Sequence, residues 1–294
     1  MSHSMNTLSQ SNEVGGFAPV KDGQLYYRQF GAGEPLVILH GGPGGDHLTF
    51  LPRMLELAKD YEVVLYDQRG CGKSLECGVT PETITVPQFV QDLDDLRRHL
   101  GYKTMTVMGH SWGGRLGMEY ALVHPDHLSK LILVDPTPST FAGQAAFTEF
   151  LMQHQGLFVN LVELYNTRED GDAEVIAAYR NIMEKYLHDP KSMKDQPIEF
   201  HKKAALSGMQ VGGLMGQTAW MQPGFDLRPQ LKNMTVPTLV IHGRYDPVPL
   251  WTAQETYAAL PHGRMVELDD CGHSPFMEKP PEFFKAVRDF LGAE

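Results

Sequence analysis

Short, uninterrupted apolar runs alternate with amphipathic stretches in the first half of the chain. Such runs predict strands buried on both faces of a parallel sheet, and the amphipathic stretches predict helices. The predicted strands lie at residues 36–39, 63–66, 104–108 and 131–134, and the predicted helices lie near 48–58, at 87–100 and directly after residue 111. A predicted hairpin, with strands at 17–20 and 24–29, precedes them. The alternation predicts an α/β fold, in which a mostly parallel sheet carries helices on both faces.

The pattern changes between residues 136 and 226, where apolar residues follow helical spacing and strand-like runs are missing. Strand-like runs return at 238–241 and 265–268. We therefore predict an α/β core made of residues 1–136 and 227–294, with a helical cap at residues 137–226 inserted into it. A chain of 294 residues, 42% of them hydrophobic, can bury one such core and one insertion.

Residues 109–114, with the sequence GHSWGG, stand between a predicted strand and a predicted helix. A serine at the apex of a sharp strand-to-helix turn has its hydroxyl pushed clear of the backbone, and only small residues two positions away allow so tight a turn. Ser111, flanked by Gly109 and Gly113, is therefore the candidate nucleophile. The alternative is a glycine-rich loop whose serine only caps a helix.

An acid and a histidine follow in the order that a serine nucleophile of this kind requires. Asp246 comes after the strand-like run at 238–241, and His273 comes after the run at 265–268. His273 would take the proton of Ser111 during attack on a carbonyl and return it to the leaving group. Asp246 would fix the imidazole tautomer and stabilise its charged form.

Other residues of the same types fit these roles less well. His110 should point away from the serine on its own turn, and His262 is expected in an exposed turn. Asp269 and Asp270 are too close in sequence to His273 to be preferred as its partner.

A site for the developing negative charge is predicted in the glycine-rich loop at residues 40–45, with the sequence HGGPGG, which follows a buried strand. The backbone N–H of Gly42 and that of Trp112, directly after the nucleophile, could together form an oxyanion hole. The glycine spacing does not match either of two phosphate-binding motifs. A dinucleotide fingerprint would need glycine where His47 or Pro43 stands, and a P-loop would need glycine at Asp67.

Three motifs together resemble the proline iminopeptidase family of α/β-hydrolases, including its tricorn-interacting aminopeptidase branch. They are HGGPG at residues 40–44, DQRGCGKS at 67–74 and GHSWGG at 109–114. The resemblance implies an α/β-hydrolase fold with a serine peptidase or amidase activity. Such an enzyme removes an N-terminal residue, often proline, from a small peptide or amide through an acyl-enzyme, without a cofactor or metal.

The resemblance also implies acidic side chains that hold the free amine of the substrate. In the tricorn-associated branch one of these directly follows the catalytic aspartate, but here that position is Pro247. Carboxylates of the predicted cap could substitute, although helix-surface carboxylates are usually only solvated. The candidates for substrate contact are Glu163 and Glu199, with Glu149 and Glu174 as further acids and Trp220 as part of an apolar pocket.

Charge and cysteine content limit the possible binding partners and the expected cellular compartment. Lys and Arg number 25 against 36 Asp and Glu, which gives 25 − 36 = −11 and disfavours nucleic acid or an anionic membrane surface as a partner. The cysteines Cys71, Cys77 and Cys271 have no metal-ligand spacing, so free thiols in a reducing compartment are expected. With a polar stretch at residues 1–14 and no transmembrane-length apolar run, we predict a cytoplasmic protein.

Two other functions remain open at this stage. A carboxylesterase or lactonase would use the same elbow chemistry with a different pocket, and a non-catalytic small-molecule receptor could share the scaffold. Epoxide hydrolases and haloalkane dehalogenases of similar fold use an aspartate nucleophile, so Ser111 argues against both. The sequence leaves the oligomeric state open.

Overall fold

The computed structural model describes residues 14–292, so most of the polar N-terminal stretch lies outside the described residues. The strands are β1 Val14–Val20, β2 Gly23–Phe30, β3 Pro35–Leu39, β4 Glu62–Tyr66, β5 Met105–His110, β6 Leu128–Val134, β7 Thr238–Gly243 and β8 Gly263–Leu268. The α-helices are α1 Val86–His99, α2 Trp112–Val123, α3 Phe141–Gln153, α4 Gln155–Thr167, α5 Ala173–Glu184, α6 Lys202–Thr218, α7 Arg228–Leu231, α8 Leu250–Ala258, α9 Pro275–Glu278 and α10 Pro280–Leu291. Short 3-10 helices lie at His47–Phe50, Arg53–Lys59, Pro125–His127 and Pro190–Met193.

The described residues form an eight-stranded sheet in the order β1-β2-β4-β3-β5-β6-β7-β8. The hairpin β1–β2 is antiparallel and joins β4 in antiparallel register, whereas all pairs from β4 to β8 are parallel. The predicted α/β fold with a mostly parallel sheet is therefore confirmed. In such a sheet, the loops after the central strands meet at one edge.

The continuous apolar runs result from burial of the sheet on both faces. In β3, Val37 and Leu39 belong to one hydrophobic cluster, and Leu36 and Ile38 belong to the cluster on the opposite face. Because successive strand residues point to opposite faces, a strand covered on both sides needs apolar residues at every position. The same reasoning applies to β5 and β7, whose residues are all buried.

The prediction of an α-helix near residues 48–58 is wrong. Two short 3-10 helices, His47–Phe50 and Arg53–Lys59, take its place. Pro52 lies between them and has no backbone N–H to donate, so a continuous α-helix across this position is disfavoured.

Between β6 and β7 lies the inserted segment (residues 137–226), which carries α3 to α6. It has a small hydrophobic cluster of its own, built around Leu161, Leu164, Val175, Ile182 and Phe200. The helices expected there are present, and the division of the chain into core and cap stays a prediction. In the part of the chain that the structure describes, no helix has the length and apolar character needed to span a membrane.

Candidate active site

Ser111 lies at the tight turn between β5 and α2. Its φ of 56° is in the left-handed region that non-glycine residues rarely adopt. A Cβ on Gly109 would lie 2.1 Å from the carbonyl oxygen of Gly113, and a Cβ on Gly113 would lie 2.3 Å from that of Leu39. Only glycine therefore fits on either side of the serine, which explains why this sequence can make the turn.

His273 and Asp246 form a buried, hydrogen-bonded pair in the loops after β8 and β7. His273 Nδ1 lies 2.8 Å from Asp246 Oδ2 and 2.9 Å from Oδ1, and the backbone N–H of Val248 donates to Oδ1 at 2.7 Å. Because Nδ1 donates its proton to the carboxylate, the neutral ring has Nε2 unprotonated. Burial lowers the pKa of His273, which favours this neutral form. The imidazole is therefore in the state of a general base.

His110 joins the histidine loop to the serine turn. Its Nε2 donates to the backbone carbonyl of His273 at 2.7 Å, and the two imidazole rings lie 4.8 Å apart between centroids. His110 directly precedes Ser111, so this contact brings His273 next to the turn that carries the serine. Burial lowers the pKa of His110 to about 3, so its ring is neutral. The sequence identified no role for this histidine.

The carboxylate of Glu278 ties the histidine loop to the inserted segment. It accepts hydrogen bonds from the backbone N–H groups of Gly272, His188 and Asp189 at 2.9, 2.8 and 3.1 Å. Gly272 directly precedes His273, whereas residues 188 and 189 belong to the inserted segment. The contact therefore joins the backbone next to His273 to the backbone of the inserted segment. Glu278 had no sequence motif that we recognised.

Trp220, predicted to contact substrate, packs inside the inserted segment. Its indole N–H donates to Thr148 Oγ1 at 3.0 Å, and its ring lies 6.1 Å from that of Phe147. Phe147 lies 6.4 Å from Tyr186, whose ring is 5.4 Å from the imidazole of His273. Trp220 is thus two aromatic rings away from the candidate base, and its contact with substrate stays a prediction.

The loop at residues 40–45 lies against the serine turn. A Cβ on Gly41 would lie 3.1 Å from the Cβ of Ser111, so the backbone of the loop approaches the serine closely. Trp112 is the first residue of α2, and the first N–H groups of a helix have no partner within it. The N–H groups of Gly42 and Trp112 are therefore on segments that meet at Ser111. Their use as an oxyanion hole stays a prediction.

Side chains that follow the strands β4 and β5 hold this loop. The indole N–H of Trp112 donates to Gln68 Oε1 at 2.9 Å, and Gln68 Nε2 donates to the carbonyl oxygen of His40 at 2.8 Å. Asp67 accepts from both the backbone N–H and Nδ1 of His47, at 2.9 and 2.8 Å. The residues of the DQRGCGKS motif thus anchor the glycine-rich loop, which is a structural reason for the two motifs to occur together.

Helix α6 of the inserted segment lies directly on the glycine-rich loop. A Cβ on Gly208 would lie 2.3 Å from the carbonyl oxygen of Gly44, and a Cβ on Gly212 would lie 3.0 Å from that of Pro43. Ser207 Oγ also donates to the carbonyl oxygen of Gly70 at 2.6 Å. Two glycines one helical turn apart therefore allow backbone-to-backbone contact at this point.

Replacing Gly208 by alanine is expected to lower the free energy of unfolding by about 1–3 kcal/mol, the usual effect of overpacking. It should also reduce kcat, because the added methyl group displaces the loop that carries Gly42. The matched control is Gly213→Ala on the same helix, where an added Cβ meets nothing within 4 Å. This control should gain up to about 1 kcal/mol, since alanine favours helix over glycine. Chemical denaturation and steady-state kinetics test both variants, and equal effects would contradict the close contact.

A cavity lies between the glycine-rich loop and helices α4 to α6. It is lined mainly by apolar and aromatic side chains, together with the acids Asp46 and Glu199. Burial raises the pKa of Asp46 to about 6, and the charge of Asp67 adds to the effect. Glu199 is exposed to solvent, and its carboxylate lies 3.2 Å from His201 Nε2. The sequence analysis did not identify Asp46 as a site residue, although its position directly after the glycine-rich loop could have indicated it.

The other predicted acids are not among the residues that line this cavity. Glu163 and Glu149 are exposed, and Glu174 is exposed and paired with Arg168. The structure thus brings Glu199 to the cavity together with an acid that was not predicted, and it leaves Glu163 on the outer surface of α4.

The fold and the loops at its carboxyl edge define an α/β-hydrolase. Residues 34–280 match the model of the alpha/beta hydrolase fold family, and the chain belongs to this family. A curated proline iminopeptidase from Heyndrickxia coagulans is 28% identical over 289 residues, which cover 95% of this chain and 98% of that protein. The predicted resemblance to proline iminopeptidases is therefore confirmed.

Solved structures show the same fold over nearly the whole chain. An α/β fold family hydrolase from Bacillus anthracis superposes with a TM-score of 0.76 at 20% identity, covering 95% of this chain and 99% of that one. A proline iminopeptidase from Mycobacterium smegmatis superposes with a TM-score of 0.70 at 23% identity, covering 95% and 98%. At these identities the likenesses show a shared fold, and membership of the hydrolase family rests on the match to the family model.

Proposed function

We propose that the protein is a serine hydrolase that cleaves an N-terminal aminoacyl or prolyl residue from a small peptide or amide. The observation that carries the proposal is the hydrogen-bonded pair His273–Asp246, packed through His110 against the turn that carries Ser111. Similarity to proline iminopeptidases over 95% of the chain supports the choice of substrate. In this proposal the inserted segment acts as a cap over the site.

The proposed mechanism assigns a role to each group of the site. Ser111 Oγ attacks the scissile carbonyl while Nε2 of His273 takes its proton, and Asp246 stabilises the imidazolium that forms. The N–H groups of Gly42 and Trp112 bind the oxyanion. The imidazolium then protonates the leaving amine, and a water molecule activated by the same histidine releases the acyl group.

The proposed amine specificity rests on the two acids of the cavity, which is lined by Gly44 and Gly45 of the glycine-rich loop but not by Ser111 or His273. Pro247 cannot hold a cation, whereas Asp46 and Glu199 line the same cavity as the aromatic residues Tyr165 and Tyr179. A carboxylate beside aromatic faces is a favourable environment for an ammonium group. We therefore propose that these two acids contact the free amine of the substrate.

A substrate panel tests the proposal. Prolyl, alanyl and other aminoacyl arylamides would be compared with their N-blocked counterparts and with simple p-nitrophenyl esters and lactones. The proposal requires higher kcat/KM on arylamides with a free amine than on the blocked ones. Indifference to blocking together with rapid ester turnover would assign the protein to the esterases.

Glu199→Gln is expected to lower kcat/KM for free-amine arylamides by about 10-fold or more, because a hydrogen bond to a charged group is lost. Turnover of N-blocked or ester substrates should stay close to that of the parent. Glu163→Gln provides the matched control, since both glutamates are exposed but only Glu199 is among the cavity-lining residues. Equal kinetics of the two variants would remove Glu199 from amine binding.

A carboxylesterase or lactonase is the second candidate. The observation in its favour is the largely apolar lining of the cavity, which includes Val175, Ile176, Met183 and Ile198. Such a surface suits an aliphatic or aromatic acyl group as well as it suits a prolyl ring. The same substrate panel separates the two candidates.

A further inference from the structure

A second buried carboxyl lies beside Asp246. Asp135 directly follows β6, and Asp246 lies in the loop after the neighbouring strand β7. Asp135, His242 and Asp246 are all buried, with side-chain ligand atoms within 4.8 Å of one another. Asp135 has a φ of 44°, and non-glycine residues in this strained conformation cluster at functional sites.

The surroundings of Asp135 favour a proton on one of the two carboxyls. Its Oδ1 accepts from the backbone N–H of Gly243 at 2.9 Å. Its Oδ2 is buried, and no donor among the described residues reaches it. The ligand atoms of the Asp135 and Asp246 carboxyls lie within 4.8 Å of each other, and both side chains are buried. Two negative charges this close in a buried site are unfavourable, so we expect one of the pair to carry a proton.

The proton belongs on Asp135. The carboxylate of Asp246 already accepts from Val248 N–H at 2.7 Å and from His273 Nδ1 at 2.8 Å. These two donors stabilise negative charge on Asp246, whereas Oδ2 of Asp135 has none. Burial raises the pKa of Asp135, and the nearby charge of Asp246 raises it further.

His242 does not supply a compensating charge. Its Nε2 donates to the carbonyl oxygen of Val248 at 2.9 Å, and its Nδ1 lies 3.4 Å from Asp135 Oδ1 without forming a hydrogen bond. A charged imidazolium–carboxylate bond would be shorter, about 2.7–2.9 Å. Burial lowers the pKa of His242 to about 4, in keeping with a neutral ring.

Two further titratable groups among the described residues interact electrostatically with Asp135. They are the carboxyl of Glu278 in α9 and the buried thiol of Cys271 in the histidine loop. Neither of these is a cation in the resting state described above. A second negative charge at Asp135 would therefore lack a counter-ion.

We propose that Asp135 is a positioning residue that donates a hydrogen bond, as a neutral carboxylic acid, to the carboxylate of Asp246. The contact holds that carboxylate in the orientation in which it accepts from His273. The inference rests on the proposed function, because it assigns Asp246 and His273 their roles in proton transfer.

The decisive variant is Asp135→Asn, compared with Asp135→Ala. Asparagine keeps an acceptor for Gly243 N–H and a donor for Asp246, so its kcat should stay within about threefold of the parent. Alanine removes the donor, and kcat should fall about 10- to 100-fold with a smaller change in KM, as expected for loss of a hydrogen bond to a charged group. The acid limb of the pH profile of kcat/KM should be the same in Asp135→Asn as in the parent.

Two results would overturn the proposal. One is a folded Asp135→Asn protein that loses as much activity as Asp135→Ala. The other is an acid limb that moves to lower pH in Asp135→Asn, because removal of a negative charge would lower the pKa of His273.

A titration of the wild-type protein tests the proton itself, whether or not the variants fold. Carbon-13 NMR of labelled aspartate carboxyls should show one group still protonated above neutral pH. If every aspartate carboxyl is ionised there, the proposal is wrong. This measurement does not depend on turnover, so it distinguishes failure of the inference from failure of the proposed function.

Discussion

Replacing Ser111 by alanine is expected to lower kcat by on the order of 10⁶-fold, the loss seen when the serine of a catalytic triad is removed. Only the hydroxyl is deleted, and it makes no hydrogen bond that holds α2 in place. The variant should therefore remain folded and bind substrate with near-normal affinity. Single-turnover assays would measure the loss, and circular dichroism with thermal unfolding would establish the folded state.

Ser111→Gly provides a second, independent comparison. Glycine adopts a φ of 56° without the strain that a side chain imposes, so this variant should be at least as stable as the alanine variant while equally inactive. A folded Ser111→Ala protein that retains near-parental rates would exclude the serine as nucleophile.

Asp246→Asn is expected to lower kcat by about 10⁴-fold, the effect of the same change in a serine protease triad. The amide does not accept a hydrogen bond from His273 Nδ1–H as the carboxylate does. The imidazole is therefore no longer held in the tautomer that leaves Nε2 free to act as the base. The change removes the charge that would stabilise the imidazolium during attack. Measurement of kcat across pH, with the fold checked by thermal unfolding, tests this expectation.

The contrast with Asp135→Asn gives this prediction its control. Both changes replace a buried aspartate by the same amide, at positions that lie side by side. Only Asp246 accepts from the imidazole of His273. If the two amide variants lose activity equally, the separate roles assigned to the two acids are wrong.

The fold could be predicted because its signals are local. Each buried strand appears as an apolar run, and the turn at Ser111 needs two glycines that stand within five residues of sequence. The prediction of one helix near residues 48–58 was wrong for a local reason as well. It used the apolar spacing and did not take into account that Pro52 disfavours a continuous helix. Helical periodicity alone does not distinguish one helix from two short 3-10 turns.

The supporting contacts of the site could not be predicted because they join distant parts of the chain. His110 and the carbonyl of His273 are 163 residues apart, and Glu278 reaches the N–H of His188 across 90. Nothing in the spacing of these residues indicates such contacts. Asp135 is a different case, because it directly follows a buried strand, as Asp246 nearly does. The sequence could therefore have indicated it as a second acidic residue of the site.

The hydrogen bonds of Glu278 have a consequence for how the inserted segment and the histidine loop depend on each other. Pressure that lifts residues 188 and 189 away from the core would draw on the backbone at Gly272, immediately before the imidazole. In the proposed function, such a displacement would shift the imidazole that takes the proton of Ser111, so the inserted segment and the histidine loop would have to stay in register for turnover.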